Sequence, residues 1–129
     1  MNNKYPKEFI FKHLAITKLS NEKAIEKYLK EIEDLKKEME HPLEQQETMR
    51  SFKKQYKKQN NLDVVAYYAD MENTYKERVN SIKDEIQELE KIIEEYEIEN
   101  KFIERTLSEF EVEDEIKKAT ELYNNFKVS

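Results

Sequence analysis

From Val65 to Phe110 the sequence carries two interleaved combs, each repeating every seven residues. One reads Tyr68, Tyr75, Ile82, Leu89, Tyr96, Ile103, Phe110; the other reads Val65, Glu72, Val79, Ile86, Ile93, Asn100, Leu107. The gaps alternate between three and four, so both combs lie on one seam of a helix underwound to about 3.5 residues per turn. Only Glu72 and Asn100 are strongly polar on this seam. At about 1.5 Å per residue such a helix spans roughly 70 Å. A helix of that length has little globular shelter, so a second element has to lie along the seam.

Composition narrows what that element can be. The 129 residues include no glycine, no cysteine, no tryptophan and two prolines. Without glycine there are no Gly-rich phosphate loops and no tight type I′ hairpins, which argues against β and α/β folds. Without cysteine there is no disulfide framework and no thiolate metal site. Charged residues make up 40% and hydrophobic residues 37%, as in long helices and coiled coils. No run of about 18 apolar residues spans a membrane. The N-terminus lacks a secretory apolar core and cleavage site, so the cytoplasm is the expected location.

The best turn signal is Asn60-Asn61. The first Asn tolerates the left-handed conformation that ends a helix, and the second can cap the next one. Two arms, 20–59 and 62–107, flank it, and a short connection makes them antiparallel neighbours. Paired residues should then have numbers summing to about 121. In that register Leu89 faces Ile32 and Tyr96 faces Ile25. Glu72 falls opposite Met49, near Arg50 and Lys53. Asn100 meets Asn21 at the start of the first arm, although an Asn on a seam can also set the register of a homodimer. The first arm has its own seam, Ile25, Tyr28, Ile32, Leu35, Met39, then Pro42, where the sequence predicts a break or kink. Ser20 reads as the N-cap of this arm. Ahead of it, residues 1–19 form an apolar segment in which Pro6 suits a first helical turn.

After Phe110 the comb changes phase. Val112, Ile116, Ala119, Tyr123 and Phe126 make a new series, and Ser108-Glu109-Phe110-Glu111 matches a capping box. The sequence therefore predicts a bend near 107–112 and a terminal helix over 112–126. Phe9, Phe11, Leu14 and Ile16 should pack against Val112, Ile116, Tyr123 and Phe126 as a small helical head. The expected fold is a single all-α domain: a long antiparallel helical hairpin, or coiled coil, with a head formed by the N- and C-terminal segments.

Catalytic signatures are weak. Glu38-x-x-His41 has the spacing of carboxylate-bridged di-iron bundles, but no second pair accompanies it. Paired carboxylates on an exposed helix lack the cleft that acid–base chemistry needs. No nucleophile triad, P-loop or H-E-x-x-H is present. No enzyme activity, cofactor or metal is expected.

Charge is distributed unevenly. Residues 1–62 carry a net +4 and residues 63–129 a net −10. Between Asp84 and Glu115 there are 14 acids against Lys91, Lys101 and Arg105. Carboxylates three or four residues apart on a helix sit about 5–6 Å from each other, near the spacing of phosphates along a nucleic-acid strand. Asp84, Glu85, Glu88, Glu94, Glu95, Glu99, Glu111 and Asp114 are the candidate contacts for a basic partner. The same acids also suit a solubilising coiled-coil surface. A second candidate set is Arg50, Lys53, Lys54, Lys57 and Lys58, interleaved with Phe52 and Tyr56, which could hold phosphates and stack bases.

The stretch Tyr28-Leu-Lys-Glu-Ile32-Glu-Asp-Leu35-Lys-Lys-Glu-Met39-Glu-His-Pro42 resembles the opening helix of phage late-transcription activators. Those families end in a sigma-like helix-turn-helix, and nothing from Leu107 to Ser129 is long or basic enough for one. The basic segment 50–58 gives one alternative, a nucleic-acid-binding transcriptional accessory factor. Composition and charge favour a non-enzymatic regulator or inhibitor instead. By class-level analogy it resembles small acidic phage or mobile-element proteins that mimic nucleic acid and block host machinery, of the anti-defence or anti-CRISPR type. A homo-oligomeric coiled-coil scaffold is the third reading. Either a monomeric hairpin or a homodimer is compatible with the pattern.

Overall fold

The computed structural model describes residues 7–128. Two long helices, α1 (Lys7–Lys58) and α2 (Leu62–Val128), pack against each other as a helical hairpin. There is no strand among the described residues.

The connection forms where the two asparagines predict it. Asn60 has φ 57°, in the left-handed region. The Asn61 N–H donates to the Tyr56 carbonyl and the Asn60 N–H to the Lys57 carbonyl, each at 3.1 Å. These are the two bonds of a Schellman motif, with Asn at the position glycine usually takes. Asn61 then starts α2. Its carbonyl accepts from the Val65 N–H at 3.1 Å, and its side-chain Oδ1 accepts a long bond from the Val64 N–H at 3.5 Å. One residue thus closes the first helix and caps the second.

Packing of the described residues falls into two units, one of residues 27–93 and one that pairs 7–26 with 94–128. In the first unit, which contains the turn, Ile32, Met49, Val79, Ile82, Ile86 and Ile93 are buried. Near the turn Tyr68 stacks on Tyr56 at 5.6 Å and meets Phe52 at 5.1 Å. In the second unit Ile103, Asn21 and Asn100 are buried.

Three expected interruptions are absent. α1 does not break at Pro42, which lies inside the helix and is buried. A proline there removes one backbone bond and costs about 3 kcal/mol. Seam burial on both sides, at Ile32 and Met49, holds the helix through it. Ser20 is not an N-cap but an exposed residue within α1, and the segment before it continues the same helix. The seam of α1 extends backward through Asn21, Lys18, Leu14 and Phe11 to Lys7. The polar members of that series obscured the pattern. Pro6, read as a first-turn proline, lies outside the described residues.

Nor does α2 end near 107–112; it runs unbroken to Val128. The seam takes one more step, to Asp114, six heptads after Glu72 on the same comb. The Val112–Phe126 series is another face of that helix, so Ser108 has no helix start to cap. The terminal segments do share a unit, but not as a closed apolar head. Val112, Ile116, Tyr123 and Phe126 are 55–84% exposed, and Phe9 and Ile16 are also more than half exposed. Phe11 is 37% exposed and Leu14 half-buried. Lys7 joins the segments instead, by ion pairs to Asp114 at 2.7 Å and Glu113 at 3.6 Å, with its ammonium 5.4 Å from the Phe110 ring centre.

Candidate functional site

The charged residues sort by whether the seam uses them. Glu72 is the polar seam residue nearer the turn, and its side chain is only 14% exposed. Arg50 Nε donates to its Oε1 at 3.3 Å, and Lys53 Nζ lies 2.8 Å from Oε2. Oε2 makes no contact that satisfies hydrogen-bond geometry, so the Lys53 contact is a close ion pair at a poor angle. Lys53 first, then Arg50, hold the Glu72 carboxyl below its ordinary pKa, against the opposing effect of burial.

This arrangement divides the basic set. Arg50 and Lys53 are committed to Glu72, and Phe52 and Tyr56 lie against Tyr68. Lys54, Lys57 and Lys58 remain exposed around one shallow depression.

The seam also holds an amide cluster. Asn21 Nδ2 donates to Asn100 Oδ1 at 2.9 Å and to Glu99 Oε1 at 2.8 Å. Asn100 Nδ2 donates to the Lys18 carbonyl at 3.3 Å. The predicted partnership is present, but inside α1 rather than at a helix start. Lys18 Nζ adds an ion pair to Glu104 at 3.2 Å.

The candidate acids divide in the same way. In the unit 27–93, Asp84, Glu85 and Glu88 are exposed and make no ion pair or hydrogen bond among the described residues. In the other unit the same holds for Glu94, Glu95 and Glu111. Glu99 is held by Asn21. Asp114 is held by Lys7, which lowers its pKa, and Asp114 in turn raises that of Lys7. Six of the eight candidates therefore present free carboxylates, and the other two serve the fold.

Glu85 and Glu88 have a further setting that the sequence did not disclose. With Glu31, Asp34 and Glu38 from α1 they line an open hollow of about 410 Å³. Its apolar lining is Leu35, Leu89 and Ile92, all half-buried. No basic residue lines it. The signal was available once the register was known, because positions 31–38 meet 85–92 when partners sum to about 121.

No group of three or more potential metal ligands gathers among the described residues. Glu38 belongs to the hollow, and His41 meets Tyr75 edge-on at 6.5 Å. No helix is long and apolar enough to cross a membrane, again among the described residues.

No known protein family, curated protein or solved structure matches this chain. The residues themselves carry the functional argument.

Proposed function

We propose that this is a non-enzymatic, cytoplasmic protein-binding regulator or inhibitor. Its free carboxylates on α2 engage a basic, nucleic-acid-handling protein and compete with that protein's nucleic acid. The observation that supports this reading is that six of the eight candidate acids, all off the seam, have no partner among the described residues, while Lys7 and Lys18 match only Asp114, Glu113, Glu104 and Glu22. Glu72 and Asp114, on the seam, are matched with cations. Asp84, Glu85, Glu88, Glu94, Glu95 and Glu111, off the seam, are left unmatched. Lysines placed four residues away would have been simple helical partners, yet Asp84–Glu115 contains only three basic residues. Such a surface repels itself and attracts a cationic groove. A small phage or mobile-element inhibitor of the nucleic-acid-mimic kind fits this chemistry.

The test replaces Asp84, Glu94 and Glu95 together with lysine. All three are exposed and off the seam, so circular dichroism should remain helical. A partner is recovered by pull-down from the native host, and its displacement from labelled DNA is then measured. We expect the triple variant to lose at least tenfold in affinity, and 0.5 M salt to weaken the wild type steeply. Unchanged binding in both arms overturns the proposal.

The reading as a nucleic-acid-binding accessory factor now rests on Lys54, Lys57 and Lys58, because the fold uses Arg50 and Lys53. Three lysines make a weak, salt-sensitive phosphate contact. Direct DNA binding across a salt series distinguishes it. The scaffold reading expects stable self-association and no foreign partner.

A further inference from the structure

We infer that the hollow between residues 31–38 and 85–92 is the anchoring point for the partner, and that it takes a basic amphipathic helix. This deepens the proposal above and rests on it. The hollow combines an apolar floor with a charged rim, two features with different requirements. Leu35, Leu89 and Ile92 are only half-buried where two long helices already meet, leaving some apolar surface that a third element could cover.

The rim selects that element by charge. Glu31, Asp34, Glu38, Glu85 and Glu88 surround the floor, with no lysine or arginine in the lining. None of the five makes an ion pair among the described residues. An uncharged apolar ligand would leave these carboxylates crowded and partly desolvated, and an acidic one would be repelled. A helix with one bulky apolar side chain, flanked at three- and four-residue spacing by Lys or Arg, satisfies floor and rim together. A hollow of about 410 Å³ is within the usual size range for a ligand site.

Ile92 gives the cleanest probe. It lies off the two seam combs, so the hairpin does not depend on it as it does on Ile86 or Ile93. Two synthetic peptides are titrated against the full-length protein at low salt. One is a Lys-rich amphipathic helix with leucine anchors; the other is an oligolysine of equal charge. Affinity is read by fluorescence anisotropy, and the contact is mapped by amide chemical shifts.

We expect the amphipathic peptide to bind at least tenfold tighter than oligolysine, with shifts clustered at 31–38 and 85–92. Ile92→Lys should abolish that advantage with helicity unchanged, and E85Q/E88Q should weaken binding at least threefold. Equal binding of the two peptides, indifferent to Ile92, overturns the groove but leaves the acidic-surface reading standing. If neither peptide binds, both fall. Should Ile92→Lys lose helicity, Ile92→Ser and the shift map decide instead: shifts confined to other segments overturn the groove.

Discussion

Glu72 shows how a single charged residue can sit on an apolar seam. Its side chain is mostly covered, and two cations from the opposite helix approach it. Because its pKa is lowered in the fold, its contribution is present above the unfolded value of about 4.5 and is lost as pH falls through the lower folded value. Wild-type stability, measured by urea melts, should therefore fall relative to Glu72→Leu as pH drops below about 4.5. At pH 7 Glu72→Leu should be neutral or stabilising, since apolar replacement of a seam ion pair often is. Arg50 and Lys53 are exposed enough to return to water. A loss above about 2 kcal/mol at pH 7 would instead mean that the pair is a required network. This residue was legible in the sequence: the one charged position on a regular comb, and a register that put two cations nearby. Asn21 was legible as the partner of Asn100, though not as a residue inside a longer helix; Lys7 and Lys18 were not legible. These two occupy seam positions of α1 but break its apolar pattern, so the apolar series alone starts later than the helix does.

At the scale of elements, the turn carries the sharpest expectation. Asn60 holds a left-handed conformation that costs non-glycine residues about 1–2 kcal/mol, Asn less than most. Asn60→Gly should raise stability by a few tenths to about 1 kcal/mol, and Asn60→Ala should lower it by about 1 kcal/mol, both read from denaturant midpoints. A loss of stability in the glycine variant would mean that the Asn side chain has a role beyond backbone geometry. The turn was legible because its chemistry is local. The continuity of the helices was not. Pro42, Ser20 and Ser108 all carry local signals for a boundary, and in each case the helix runs on. Local propensity is worth about 1–3 kcal/mol at such positions. At Pro42 a seam that buries Ile32 before it and Met49 after it outweighs that preference. At Ser20 and Ser108 the helix simply continues one seam, to Lys7 in one direction and to Asp114 in the other. The hollow is a different case: the register puts 31–38 beside 85–92, but the open space left between Leu35, Leu89 and Ile92 depends on how the side chains pack, which a register does not state.

At the scale of the molecule, one covalent connection serves two very long helices. Contacts across the hairpin therefore differ greatly in the chain they enclose. Tyr56 and Tyr68 are twelve residues apart, whereas Lys7 and Asp114 are 107 apart. Closing the longer loop first would cost about 2 kcal/mol more in chain entropy. Once the turn has formed, each further pair adds only a short increment. Folding should thus begin at the asparagine turn and zip outward, giving a fast reaction for so extended a set of contacts. Stopped-flow chevrons on two variants test this: Tyr68→Ala should slow folding, with φ above about 0.5, and Ile103→Val should mainly speed unfolding, with φ below about 0.3. The reverse ranking would place the nucleus at the termini. The same polarity applies in the native state. Opening should start at the ends remote from the turn, so the turn-proximal tyrosines should be the last part of the molecule to exchange their amide protons.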